Sequence, residues 1–192
     1  MRPAKPSIDA RGLPPEPPAR RVVLSALAVA LLAGCESLVP RADKPTLGAT
    51  EDDVALLGAA LALEYDAIAA YEAGLVSGLA RPPAQELARR FRDDHARHAE
   101  ALVGAIVRLG GRPAEGSGRG PPAASLAGEA DLLRFAASLE QGLALMYLGA
   151  VPAFADRDLA KAAAGIMGVE TMHWAALRAL LGEPPVPAPF FG

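Results

Sequence analysis

One cysteine, three histidines and nine aromatic rings in 192 residues leave few chemistries open to this chain. A single thiol excludes an intrachain disulfide. Aromatics make up only 5% while alanine and leucine dominate, a composition that suits close helix packing and not the β-branched and aromatic runs of a sheet. The formal net charge of -3 and a pI near 5.6 provide no basic stripe, so nucleic acid is not an expected partner. With 52% hydrophobic residues and a mean hydropathy of +0.22, the chain is no disordered polyampholyte, and its length corresponds to one domain. The expected fold class is all-α.

The amino-terminal segment reads as an address. Residues 1 to 21 are proline-rich and end in Arg20-Arg21, and an apolar run of 12 residues follows from Val22 to Ala33. That run is too short to cross a bilayer and suits the apolar region of an export signal. Leu32-Ala33-Gly34-Cys35 resembles the lipobox of bacterial lipoproteins, in which the cysteine is lipidated and becomes the new amino terminus. Arg20-Arg21-Val22-Val23-Leu24 resembles a twin-arginine signal, whose pathway carries folded proteins. Residues 1–34 are therefore read as an export signal peptide and 35–49 as a lipidated tether. The domain would be held on a membrane through Cys35, in the bacterial cell envelope, facing the periplasm or the exterior.

Four helices are expected over residues 50–182, followed by a proline-rich strap over 183–192. The first runs from an N-cap at Thr50 to about Ser77, with Leu57, Leu61, Glu64, Ile68, Tyr71 and Leu75 on one stripe. The second opens at Pro82-Pro83 and stops at Gly110-Gly111, with Leu87, Phe91, His95, His98, Leu102 and Ile106 facing inward and Asp94 beside them. The third occupies about residues 126–150, with Leu133, Ala136, Glu140, Leu143 and Tyr147 on its stripe. The fourth spans about 155–181, with Ile166, Glu170, His173 and Leu177 inward. The Gly/Pro/Ser-rich segment 111–125 reads as a loop. Fifteen extended residues reach about 50 Å and a 30-residue helix measures about 45 Å, so a crossover along the bundle is permitted, as is a simple hairpin loop.

All three histidines fall inside one repeated pattern, a glutamate followed about thirty residues later by ligand-type residues three apart. Glu64 precedes His95 and His98; Glu140 precedes Glu170 and His173. The offsets are 76 residues for Glu64 to Glu140 and for Tyr71 to Tyr147, and 75 for His95 to Glu170 and for His98 to His173. An internally duplicated helical hairpin is the reading. Three glutamates and three histidines on apolar stripes require a compensating charge, since each isolated buried charge costs several kcal/mol. No lysine lies on any stripe, and imidazole with carboxylate suits iron, manganese or zinc. Residues three apart on a helix point the same way, which lets Glu170 and His173 converge. Tyr71, Tyr147 and Asp94 are candidates for hydrogen bonding to the ligands.

Glu64, His98, Glu140 and Glu170-Thr171-Met172-His173, with the tail Gly182-Glu183-Pro184-Pro185-Val186-Pro187, resemble the exported ferritin-like domain family of bacteria over about residues 50 to 190. The resemblance implies a ferritin-like four-helix bundle with a dinuclear iron or manganese centre, in which two helices each give a glutamate and two each give a Glu-x-x-His pair. It implies no established reaction; the duplicated set Glu64, His95, His98, Glu140, Glu170 and His173 is itself what leads to the expectation of metal ligation with ferroxidase or peroxide-removing redox activity. His95 departs from the pattern by standing where the first Glu-x-x-His has its carboxylate. That departure opens a second reading, a non-catalytic envelope bundle with a degenerate or single-metal site, zinc included. A homodimer is compatible with the sequence.

Overall fold

The computed structural model describes residues 47–116 and 126–190; the expected signal peptide, Cys35 and most of the tether lie outside them. Four α-helices and no strand occur among the described residues: α1 (Leu47–Val76), α2 (Pro82–Arg108), α3 (Glu129–Ala150) and α4 (Arg157–Leu180), with a 3-10 turn Val151–Ala153 between α3 and α4.

Local chemistry sets most of the boundaries. Pro82 and Pro83 occupy the first positions of α2, where a missing N–H costs nothing. α2 and α4 both end in a left-handed glycine. Beyond Gly110, the Gly111 N–H bonds to the Ile106 carbonyl, and beyond Gly182, the Glu183 N–H bonds to the Arg178 carbonyl. Asp156 caps α4 by accepting from the N–H groups of Asp158 and Leu159 at 2.7 and 3.2 Å. Two starts differ from expectation. α1 continues through Thr50 back to Leu47, so Thr50 is interior and not a cap. α3 starts at Glu129 and not near Leu126, because Gly128 is extended and Glu129 and Asp131 complete the acidic first turn.

Contacts near the two ends of the bundle fix the direction of each helix. At one end the Arg81 N–H donates to Glu129 Oε1 at 2.7 Å and the Arg81 guanidinium grips Oε2, which joins the starts of α2 and α3. At the other, fully buried Asp53 of α1 accepts from the N–H groups of Ala155 and Asp156 at 2.8 and 3.0 Å, which joins the start of α1 to the α3–α4 junction. α1 and α4 therefore run one way, and α2 and α3 the other. α1 packs chiefly on α2 and α3 chiefly on α4; further contacts join α1 to α3 and α2 to α4. The connection from α2 to α3 is thus a crossover along the bundle. Its first part lies along α1, where a Cβ at Gly111 would sit 2.7 Å from Val54 and one at Gly116 would sit 2.9 Å from Tyr65.

The core divides into two apolar clusters. Leu57, Leu61, Leu102, Ile106, Tyr147 and Phe154 fill one end, and Tyr71, Phe91, Leu133, Trp174 and Leu177 fill the other. Between them, along every helix, fall the polar residues picked out from the sequence. Residues Thr50–Val76 are long and apolar enough to cross a bilayer, yet Leu61, Glu64 and Ala67 of this helix are fully buried within the protein. The tail is tied to α4 where Arg178 bonds the Pro184 carbonyl and pairs with Glu183. Val186 and Phe190 of the tail are exposed.

Candidate metal centre

One glutamate comes from α1, two histidines from α2, one glutamate from α3 and a glutamate with a histidine from α4. Glu64, His95, Glu140 and Glu170 are fully buried, His173 is nearly so, and the His98 side chain is 13% exposed. They form two overlapping quartets, Glu64, His95, His98 and Glu170, and His95, Glu140, Glu170 and His173, each offering one ligand atom per residue within 4.8 Å of the others. His95 and Glu170 belong to both. The three-residue spacing on α2 and α4 produces this, since one helical face carries both members of each pair.

Glu170 is the centre's unsatisfied member. Its two carboxylate oxygens and His98 Nδ1 are buried without a hydrogen-bond partner. Yet His98 Nδ1 lies 2.9 Å from Glu170 Oε1, and His173 Nδ1 lies 3.3 Å from Oε2. Close approach of electron-rich atoms without hydrogen-bond direction is what donor atoms sharing a cation require, and a buried carboxylate left so is otherwise costly. The residues present therefore fit a divalent metal. Burial pushes the Glu170 carboxyl above the usual range.

His95 behaves differently. Its Nδ1 is 2.8 Å from Glu64 Oε2 and its Nε2 3.2 Å from Glu140 Oε1. Only an imidazolium donates from both nitrogens. Burial disfavours the charged ring, but the two carboxylates outweigh it and raise His95 to about 10. His98 and His173 rise to about 9, burial again being outweighed, by Glu170 and Glu64 for His98 and by Glu140 and Glu170 for His173. Burial likewise opposes ionisation of Glu64 and Glu140, yet hydrogen bonds from the histidines hold both below the usual carboxylate range.

Around these six, the tyrosines cross between hairpins. Tyr71 of α1 donates to Glu140 Oε1 of α3, and Tyr147 of α3 donates to Glu64 Oε1 of α1 at 2.6 Å. Burial first, and then the adjacent carboxylates, raise both phenols well above their ordinary value. Asp94 Oδ2 stands 3.5 Å from His173 Nε2, on the side of the ring away from Glu140. The sequence stripe included Phe91 without giving it a role; its ring stacks on His173 at 3.7 Å between centroids and covers that imidazole. Asp53 went unnoticed as a helix-joining residue. The available signal was its place four residues before Leu57 on the buried stripe.

A sequence model of the ferritin-like domain matches residues 52–183, most of the chain and all four segments that carry the clustered glutamates and histidines. No curated protein sequence matches. Among solved structures, a conserved hypothetical protein from Mycobacterium tuberculosis aligns with a TM-score of 0.63 and 22% identity, covering 76% of this chain and 99% of that one. A ferritin-like, diiron-carboxylate protein from Bacillus anthracis aligns with a TM-score of 0.61 and 21% identity, covering 69% and 97%. At these identities the likeness shows the fold alone. By the extent of the family match, together with four helices in the ferritin-like arrangement, the chain belongs to the ferritin-like domain family.

Proposed function

We propose that this is an envelope-anchored metal protein whose centre holds iron or manganese and carries out ferroxidase or peroxide-removing chemistry. The observation that carries the reading is the pair of buried Glu170 oxygens facing histidine nitrogens without a hydrogen bond. Glu64 and His98 would serve one ion, Glu140 and His173 a second, with Glu170 common to both. Bound iron or manganese supplies one-electron redox chemistry toward dioxygen or peroxide. The protein's own part is positional. Tyr147 and Tyr71 each occupy one oxygen of Glu64 and Glu140, which fixes the carboxylates while the other oxygens face the histidines. Phe91 keeps water off His173, and Asp94 favours the tautomer with its proton on Nε2, leaving Nδ1 free to ligate. The lipobox-like Cys35 supports a membrane tether, and the Arg20-Arg21 pair supports export in the folded state.

A second reading, a single-metal or non-catalytic bundle, is favoured by His95. As an imidazolium it donates to Glu64 and Glu140, and three carboxylates with one such cation leave two negative charges, the complement of one divalent ion. Fe(II), Mn(II) and Zn(II) offered separately to the folded protein decide between them. Retention of Fe(II) or Mn(II) above a Glu170→Ala/His173→Ala variant, with turnover in air or peroxide, supports the first reading. A metal retained without turnover supports the second, and retention of none contradicts the first and leaves the second only as a bundle with a degenerate site.

A further inference from the structure

Among the polar side chains gathered at the centre, only Asp94 and His98 are more than a tenth open to solvent, at 24% and 13%. Glu64, His95, Glu140 and Glu170 are fully buried, and His173, Tyr71 and Tyr147 nearly so. The two open residues stand one turn apart on α2, so their side chains share one face of that helix. Asp94 brings this face against α4, where it meets His173. Of the helix pairs that pack side by side, α2 and α4 touch least.

A divalent cation arrives with its hydration shell and cannot first meet a carboxylate that water does not reach. Asp94 is the one carboxylate of the group that water does reach, and a carboxylate oxygen readily takes the place of bound water on such an ion. Its Oδ2 lies 3.5 Å from His173 Nε2, and Nδ1 of the same ring looks inward, 3.3 Å from Glu140 Oε2 and 3.3 Å from Glu170 Oε2. One turn along, His98 is partly open to solvent and holds Nδ1 2.9 Å from Glu170 Oε1. The exposed carboxylate thus touches one imidazole of the buried set and stands one turn from another.

The other oxygen of Asp94 is occupied. Arg97 Nη1 lies 3.1 Å from Oδ1, and the Arg97 side chain is 74% exposed. An ion pair in that setting is weak and readily exchanged, so an arriving cation can replace the guanidinium. Asp93, the next acid along the chain, carries the same charge at 52% exposure but pairs with Arg92.

We infer that Asp94 is the entry ligand of the metal centre, the residue that takes a divalent cation from solvent and passes it to the buried set, with Arg97 as the counter-ion it exchanges. This rests on the metal-centre reading above. Uptake kinetics test it without any turnover. The full chain in detergent, stripped of metal, is mixed with Co(II) in a stopped-flow spectrometer and the absorption of the bound ion is followed; release to a chelator gives the reverse rate. Asp94→Asn is expected to slow uptake about tenfold, while Asp93→Asn, with the same loss of charge one residue away, leaves it unchanged. Arg97→Gln should speed uptake and release alike by about threefold, the mark of a residue beside the path and outside the site. Being exposed, Arg97 also serves if Asp94→Asn misfolds, and an unchanged uptake rate in Arg97→Gln overturns the proposal. A residue that only steadies His173 would leave uptake as it is and quicken release. That result for Asp94→Asn overturns the proposal, as does equal slowing by Asp93→Asn. A wild-type chain that takes up no Co(II) contradicts the metal-centre reading instead, and the entry role falls with it.

Discussion

The Tyr147 hydroxyl of α3 donates at 2.6 Å to Glu64 of α1, and Tyr71 of α1 returns the same bond to Glu140 of α3. Each hairpin thus fixes the other's carboxylate, an arrangement matching the 76-residue offset shared by both pairs. Tyr147→Phe leaves a Glu64 oxygen without its donor inside the core. It should lower stability by about 1–3 kcal/mol and metal affinity about 10–100-fold. Thermal melts and competition with a chelator measure the two effects. Unchanged affinity would mean that the tyrosine only fills space.

Glu170→Gln should abolish metal retention. In the metal-free protein it removes a carboxylate that helps raise His98 and His173, so both histidines should titrate lower than in wild type. An NMR titration that leaves both unmoved, or a variant that still holds metal, would mean that Glu170 does not act on them.

The histidines give the metal-free protein a pH dependence of definite sign. Folded His95 is raised to about 10, and His98 and His173 to about 9, while the unfolded groups titrate near 6.5. The folded state binds more protons between those values. Its extra stability is complete below about pH 6.5 and is lost as pH rises through 9 to 10. Metal uptake has the opposite sign, because ligation requires neutral imidazole, so affinity should increase from pH 6 toward 9. Melting temperatures with and without metal across that range should diverge. Parallel curves would contradict the histidine assignments.

Asp53 is a structural counterpart with no part in the centre. Asp53→Ala leaves the N–H groups of Ala155 and Asp156 unpaired and should cost about 2–4 kcal/mol. Metal stoichiometry, measured below the lowered melting temperature, should not change.

What could be read from the sequence was whatever repeats or follows one helix face. The spacing of Glu64, His95, His98, Glu140, Glu170 and His173 predicted their convergence because three and seven residues along a helix return to the same side. The stops at Gly110 and Gly182 were equally local. The crossover was not legible, since a Gly/Pro/Ser-rich loop looks the same whether it turns back or runs the bundle's length. Its direction rests on Arg81 meeting Glu129 and Asp53 meeting Ala155, contacts between distant segments. Nor does a stripe on one helix reveal that Tyr71 bonds Glu140, or that Phe91 lies flat on His173. Asp53 could not be singled out because its partners are two backbone N–H groups, which any sequence supplies.

Elemental analysis of protein purified anaerobically, without residues 1–34 and with Cys35→Ala, tests the central claim most directly. The account predicts about one to two iron or manganese ions per chain, lost in Glu170→Ala, with two marking the dinuclear reading and one the reading centred on His95. No metal, or metal that survives Glu170→Ala, would contradict it.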